Sequence, residues 1–241
     1  MIGLGTIINS AAIVAGGLLG HFAGKLFRQD QQDALTVACG ISTLFIAISG
    51  AMQGMLAIDG TALASGKSML VVLCLALGTI VGELIGIEKR FESLGEWLKN
   101  KSGNSGDKTF VNAFVTASLT VCIGAMAIVG AIQDGIMGDY STLAVKSVLD
   151  FIIILIMTSS LGKGSVFSAI PIFAFEGSIT LLARLISPVM TEQAIAYISL
   201  IGSVLIFCVG VNLVWGKKVR VANMLPALVF AVIAAYIPLQ F

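Results

Sequence analysis

The stretch ALTVACGISTLFIAISGAMQGMLA, residues 34–57, contains no charged side chain. An α-helix rises about 1.5 Å per residue, so about 20 apolar residues cross the hydrocarbon core of a bilayer, which is about 30 Å thick. A transmembrane β-strand would instead need about ten residues in which apolar and polar side chains alternate, and this stretch is continuously apolar. Residues 34–57 therefore predict a membrane-spanning helix.

Apolar blocks of similar length fill most of the remaining chain. The 241 residues are 57% hydrophobic, with a mean hydropathy of +1.02, and the connections are too short to form a soluble domain. We predict an all-α fold in which residues 1–241 form a single transmembrane domain, a polytopic bundle of eight helices. If the 165–187 block is re-entrant, seven spans remain. The seven further blocks are 3–23, 68–87, 111–133, 142–162, 165–187, 193–214 and 222–239.

The Lys and Arg residues are distributed unevenly when the eight blocks alternate in direction. Eleven of the 14 fall on one side, beginning with Lys25 and Arg28. The other side keeps three, which are Lys67, Lys146 and Arg184. Because short loops rich in Lys and Arg remain in the cytoplasm, both termini are predicted to lie outside the cytoplasmic membrane.

The longest connection begins with an amphipathic pattern. Within residues 88–101, Phe91, Leu94 and Leu98 share one helical face, and Glu and Lys side chains occupy the other. This pattern predicts a helix that lies in the inner membrane interface, with Trp97 as an anchor at the level of the lipid headgroups. A helix that docks a partner protein is the alternative.

Part of the chain repeats. Ile46–Gln53 (IAISGAMQ) aligns with Met126–Gln133 (MAIVGAIQ) at an offset of 80, and Lys67-Ser68 aligns with Lys146-Ser147. The second and third spans therefore resemble the fourth and fifth, a partial internal repeat. Repeated helices are common in transporters, although packing scaffolds also contain them.

Glycine is frequent, with 27 residues, and recurs at a spacing of four, as in Gly16/Gly20 and Gly78/Gly82/Gly86. Small residues at this spacing let two helices approach closely in lipid. We expect these faces to pack helices within the chain, and they also suggest a homo-oligomer.

The opening GLGTIINSAAIVAGGLLG (residues 3–20), together with GAMQ at 50–53 and GAIQ at 130–133, resembles the YqgA/YdfK-like family. This family of bacterial inner-membrane proteins is catalogued as a domain of unknown function. The resemblance extends over the whole chain and implies a multi-pass protein of the bacterial cytoplasmic (inner) membrane. The family has no agreed activity, so the resemblance implies no catalytic residue.

Three acidic residues fall within predicted spans: Glu83, Asp150 and Glu176. An ionisable group at depth costs several kcal/mol unless it is paired, solvated or neutralised. Glu83 lies near the inner end of its span, where interfacial water and nearby basic residues account for it. For Asp150, a structural pair with Arg184 and a functional role both remain open.

Glu176 lies near the middle of its span, without a basic residue at its predicted depth. Pro171 and Gly177 flank it and predict a bend or break in the helix. Broken helices near the bilayer midplane hold ions and substrates in many transporters, which makes Glu176 a candidate binding residue. The alternative is a protonated glutamate that is hydrogen-bonded to a neighbouring helix.

Uncharged polar side chains supply further candidates for binding a small solute or cation, namely Gln53, Gln133, Asn9 and Asn112. Each of them also fits hydrogen bonding between helices. The four cysteines lie inside apolar blocks without CxxC spacing, so no metal site is predicted. The pattern predicts no cofactor, no catalytic residue and no enzyme activity, and the net charge of +1 indicates no nucleic-acid partner.

These observations favour a transporter or channel for a small solute or ion, embedded in the lipid bilayer. The alternative is a membrane scaffold or sensor without transport activity. A transporter predicts a polar cavity that reaches Glu176 or Asp150, whereas a scaffold predicts closed contacts around both.

Overall fold

The computed structural model describes residues 2–24, 26–59 and 62–237. About 83% of the chain is helical, which confirms the all-α prediction. Lys25, the end of the 222–239 block and the C-terminal residue lie outside the described residues. The elements are α1 (Leu4–Gly24), α2 (Gln29–Met55), a hairpin of β1 (Leu56–Asp59) and β2 (Ala62–Ser65), α3 (Ser68–Ile85), α4 (Ile87–Lys101), α5 (Phe110–Cys122), α6 (Ala125–Met137), α7 (Ser141–Leu161), a 3₁₀ turn (Lys163–Ser168), α8 (Ala169–Leu181), α9 (Ala183–Ile186), a second 3₁₀ turn (Ser187–Val189), α10 (Glu192–Trp215), α11 (Val221–Met224) and α12 (Ala227–Ala234).

Six helices among the described residues are long and apolar enough to cross a membrane. Helices α5 and α6 would form a seventh span as a pair, although they meet at an angle of 62°. Within its described residues, the last apolar block forms shorter helices, over Val221–Ala234. The chain is therefore a polytopic helical membrane protein with six or seven spans by helix length.

Helices α1 and α7 pack in parallel along a row of glycines. A Cβ atom added to Gly16 would lie 2.4 Å from the Phe151 carbonyl oxygen, and one added to Gly20 would lie 2.3 Å from that of Leu155. Only glycine permits backbones this close. The partner numbers increase together, so the two helices run in the same direction.

The other glycine rows join antiparallel helices. A Cβ atom on Gly50 of α2 would meet Ser203 of α10, and one on Gly54 would meet Leu200. On α3, a Cβ atom at Gly82 would lie 1.8 Å from the Asn223 carbonyl oxygen. These contacts lie within one chain, which agrees with the predicted packing role. The prediction that glycine faces also join two copies stays a prediction.

The amphipathic segment forms α4. Leu98 is buried, and Gly95 packs against Phe114 of α5, whereas Trp97 is 54% exposed. An exposed indole beside a buried face is the arrangement expected of a helix anchored at a lipid interface.

The predicted break near Pro171 and Gly177 is wrong, because α8 continues through both residues. Pro171 is the third residue of α8, in the first turn, where a missing backbone N–H removes no helical hydrogen bond. The structure instead interrupts the 111–133 block between Cys122 and Ala125. The repeat partners thus differ locally, since Ile46–Gln53 lies inside the continuous α2 and Met126–Gln133 follows the interruption.

Candidate functional site

Lys146 is the centre of a buried polar cluster. The sequence placed Lys146 at the outer surface, but it is only 6% exposed, in the second turn of α7. Its ammonium forms an ion pair with Asp150, one turn further along the same helix. It also donates to the Val121 carbonyl oxygen of α5 at 2.9 Å. A buried ion pair with one further hydrogen bond satisfies the lysine charge within the protein.

Glu176 of α8 joins this cluster and is completely buried. Its Oε1 atom lies 3.6 Å from the Lys146 Nζ atom and accepts a hydrogen bond of 2.9 Å from the Asn9 side-chain amide of α1. Three helices therefore bring together Asn9, Asp150 and Glu176, which the sequence singled out separately. We call Asn9, Lys146, Asp150 and Glu176 the polar cluster.

At Glu176 and Asp150 the structure differs from the sequence-based expectation. Glu176 does have a basic neighbour, since Lys146 lies 3.6 Å away. Asp150 pairs with Lys146 rather than with Arg184, which is exposed. The spacing of four residues between Lys146 and Asp150 was the available signal, because such residues share one face of a helix.

The helix interruption lies beside the polar cluster. Helix α5 ends at Cys122, and the last carbonyl groups of a helix lack intrahelical donors and carry partial negative charge. Lys146 supplies the donor for one of them, at Val121. The positive charge thus holds the end of α5 to the second turn of α7.

Two oxygen atoms of the polar cluster have no hydrogen-bond donor among the described residues. They are Oδ1 of Asn9 and Oε2 of Glu176. The hydroxyl of Ser10, the next residue of α1, is also buried without a partner. Buried polar atoms are nearly always hydrogen-bonded, so these oxygen atoms require an explanation.

A cavity of about 510 Å³ opens on the predicted inner side, between α5 and α10. Asn112 and Thr116 of α5 line it, and its lining extends along this helix as far as Leu119. Leu119 lies two residues before Val121, which contacts Lys146. The cavity lining includes neither Asp150 nor Glu176. Asn112, another sequence candidate, therefore belongs to this inner vestibule rather than to the polar cluster.

The two glutamines at equivalent positions of the repeat, Gln53 and Gln133, make their contacts away from the polar cluster. Gln53 is exposed on α2, and Gln133 accepts a hydrogen bond of 2.6 Å from the Thr142 hydroxyl. Asp134, beside Gln133, is buried and accepts from the Gly3 and Gly5 amides at 3.1 and 2.9 Å. Asp134 therefore caps the start of α1, a structural role.

A second charged network holds α4 to the α10–α11 connection. Lys217 contacts Glu88 at 2.8 Å and Glu92 at 2.5 Å. Burial disfavours the Lys217 ammonium, but the hydrogen bonds and charges of both glutamates outweigh that effect and raise the pKa of Lys217 above its ordinary value. Arg220 contacts Glu83 at 2.9 Å, so Glu83 has an ion-pair partner as well as an exposed position.

Among the described residues, no group of three His, Cys, Asp or Glu side chains is arranged to hold a metal ion. The chemistry of the polar cluster is therefore that of a lysine, two carboxyl groups and an amide. Such a set can bind or exchange protons and cations, and can hydrogen-bond a small polar solute.

Comparison with known proteins places nearly the whole chain in one family. The profile described as "Protein of unknown function (DUF554)" matches residues 4–236. The "Uncharacterized membrane protein YdfK" of Bacillus subtilis (strain 168) is 29% identical over 233 residues, which cover 97% of this chain and 96% of that protein. The "Uncharacterized protein YqgA" of Escherichia coli (strain K12) is 29% identical over 232 residues, with 95% and 94% covered. No solved structure matches the chain significantly. The chain is a member of the DUF554 family of membrane proteins.

Proposed function

We propose that this protein is a transporter or channel of the bacterial cytoplasmic membrane for a small solute or ion. The observation that carries the proposal is the buried polar cluster beside the helix interruption at Cys122–Ala125. Ionisable groups inside a membrane are expensive to keep and are usually found on ion or substrate pathways. Interrupted helices expose backbone groups at the same depth, where transporters bind their cargo.

The inner vestibule has room for a solute, although its lining stops short of Asp150 and Glu176, where a transporter was expected to have a polar cavity. Its volume of about 510 Å³ is sufficient for a small solute, and Asn112 and Thr116 give its wall hydrogen-bonding groups. It extends along α5 towards the interruption. Leu119 lies at the end of the vestibule nearest to Lys146. A transport cycle would require the closed region between these two residues to open.

We further propose an arrangement of eight membrane-crossing segments with both termini outside. The parallel packing of α1 with α7, and the antiparallel packing of α2 with α10, fit strict alternation of direction. In this arrangement α4 and the vestibule face the cytoplasm. The amphipathic α4, with its exposed Trp97, fits the inner interface.

The test is a solute-uptake screen in cells that lack the endogenous protein. Cells that produce the wild-type chain are compared with cells that produce Lys146→Gln, and Arg184→Gln serves as the control because Arg184 is an exposed base. We expect uptake of at least one solute or ion to depend on the wild type and on Arg184→Gln but to be lost with Lys146→Gln. Membrane levels of each variant are measured by immunoblot.

If the wild type is present in the membrane and no solute or ion in the screen responds, the transport proposal is wrong. The scaffold or sensor function would then explain the closed contacts of Lys146 and Asp150 better. Co-purification of a partner that requires α4 would support that function.

A further inference from the structure

The two unpaired oxygen atoms of the polar cluster belong to side chains that already share one hydrogen bond. Asn9 donates through Nδ2 to Oε1 of Glu176 at 2.9 Å. The remaining oxygen of each group, Asn9 Oδ1 and Glu176 Oε2, has no donor among the described residues. Both atoms are acceptors when Glu176 is ionised, so neither can satisfy the other.

The surrounding charges do not balance an ionised Glu176. The charged groups that act on it from α7 are Lys146 and Asp150, and the Cys122 thiol of α5 lies near all three. Lys146 is already paired with Asp150. Among the other elements packed against α8, α6 carries Asp134, which caps α1, and α9 carries Arg184, which is exposed. His21 of α1 and Lys163 of the first 3₁₀ turn line a separate cavity. An ionised Glu176 would therefore leave one net negative charge buried, which is unfavourable.

One proton removes both difficulties. A proton on Glu176 Oε2 neutralises the excess charge and provides an O–H donor. An amide and a carboxylic acid that share one N–H···O bond form a closed pair when the acid hydroxyl donates back to the amide oxygen. We propose that Glu176 is a proton-binding site, protonated in this conformation and paired with Asn9.

Release of this proton would change the contacts of Lys146. The Lys146 Nζ atom lies 3.6 Å from Glu176 Oε1, too far for a normal hydrogen bond but near enough to respond to a new charge. When a second conformation exposes Glu176 to bulk water, the proton passes to that water. The carboxylate left behind then attracts the ammonium, which moves away from the Val121 carbonyl. The end of α5 then loses its donor, so proton binding is linked to the helix interruption.

This link deepens the proposed transport function and rests on it, because it makes the proton the coupling ion. The proton-binding site itself does not depend on transport and is tested without it. Infrared difference spectra of the full-length protein in lipid nanodiscs are recorded as the pH is raised from the acidic to the alkaline range. The carbonyl stretch of a protonated carboxylic acid is separate from the carboxylate bands and shifts in D₂O.

We expect a protonated-acid band at neutral pH in the wild type, lost at higher pH. The band should be missing in Glu176→Gln, whose amide mimics the protonated side chain. It should persist in Glu83→Gln, the matched control at an acidic residue that is paired with Arg220 and exposed. A wild-type spectrum without a band that Glu176→Gln removes would overturn the proposal.

A second variant keeps the test decisive if Glu176→Gln does not fold. Asp150→Asn removes the carboxylate that neutralises Lys146, so the ammonium becomes available to Glu176. We expect the midpoint of the band to fall by about one pH unit or more in Asp150→Asn, because a nearby cation favours the ionised acid. An unchanged midpoint would overturn the proposed charge balance.

Different results would overturn the transport proposal and the proposal of a proton-binding site. Proton flux is measured in liposomes with an enclosed pH-sensitive dye, for the wild type and Glu176→Gln. If the infrared band is present and no solute or proton moves, transport is wrong and the proton site stands. If a solute moves without any dependence on pH, and Glu176→Gln transports it normally, the transport function stands and proton coupling is wrong.

Discussion

Lys146 and Asp150 lie one turn apart on α7 and form a buried ion pair, while the same Lys146 ammonium donates to the Val121 carbonyl of α5 at 2.9 Å. The Lys146 side chain thus connects the ion pair on α7 with the end of α5, where the span is interrupted. The pair also explains how two ionisable side chains can be kept inside an apolar block, since each charge has its partner within the protein.

The first prediction concerns this ion pair. Lys146→Met leaves Asp150 buried without its cation, which typically costs about 3–5 kcal/mol. We expect a large drop in the thermal midpoint of the purified protein in detergent. Lys67→Met is the matched control, because Lys67 is the equivalent lysine in the repeat. Its ammonium also donates to a carbonyl group at a helix end, that of Gly54, but at the partly exposed end of α2.

The double variant Lys146→Met/Asp150→Leu separates charge from packing. Replacing both members of a buried pair with apolar residues is often neutral or stabilising, so the double variant should recover stability relative to Lys146→Met. A double variant that is no more stable than Lys146→Met would show that the cost arises from lost packing rather than from the unpaired Asp150.

The second prediction concerns the contact of α3 with α11. A Cβ atom at Gly82 would lie 1.8 Å from the Asn223 carbonyl oxygen, so the helices must separate to accept any side chain. Gly82→Ala should destabilise the protein by about 1–3 kcal/mol, and Gly82→Leu should prevent assembly. Gly106→Ala is the control, since nothing lies within 4 Å of its added Cβ atom. Equal detergent stability of Gly82→Ala and Gly106→Ala would contradict this packing.

The third prediction concerns the docking of α4. Glu88 is buried, contacts Lys217 at 2.8 Å, and its backbone amide donates to the Asn223 side chain at 2.7 Å. In Glu88→Gln the ion pair is lost, and hydrogen–deuterium exchange should become faster over 88–101 than in the wild type. Glu96→Gln is the control, because the Glu96 side chain is exposed and lies 3.7 Å from the Lys99 ammonium, a longer contact. Unchanged exchange in Glu88→Gln would show that apolar contacts alone hold α4.

The fourth prediction concerns topology. The excess of Lys and Arg on one side predicts both termini outside and the 88–110 segment inside. A phosphatase reporter, active only outside, should be active at either terminus, and a fluorescent reporter that matures in the cytoplasm should be dark there. Inserted at Gly106, the two reporters should behave in the opposite way. A fluorescent C-terminal fusion would support seven spans instead of eight.

The sequence alone was sufficient to predict the class of fold. The length and hydropathy of blocks such as 34–57 predict membrane helices because a bilayer imposes one thickness on every crossing segment, whichever neighbours it has. The amphipathic helix α4 was predictable for a similar reason, since its pattern repeats within a few residues. Asn9, Asp150 and Glu176 stood out because each is polar inside an apolar block.

The tertiary structure decided which of these polar residues meet. Asn9, Lys146 and Glu176 lie on three different helices, α1, α7 and α8. The glycine contacts between α1 and α7 and the packing of α8 against α1 bring them together. Lys146 resembled a surface residue in the sequence, because a lysine near the end of a block can extend its charge into the interface. Its role depends on the Val121 carbonyl, which is available only because α5 ends there.

The position of the helix interruption also required the three-dimensional structure. Pro171 and Gly177 predicted a break in α8, yet a proline in the first turn costs no hydrogen bond, so α8 continues. The 111–133 block contains no proline, and its continuous apolar character indicated one uninterrupted helix. The chain turns at Cys122–Ala125, where Lys146 of another helix supplies a donor to the end of α5. Local sequence determines which segments enter the membrane, whereas donors from distant segments decide where a helix inside it can end, because no water is present there to satisfy its backbone.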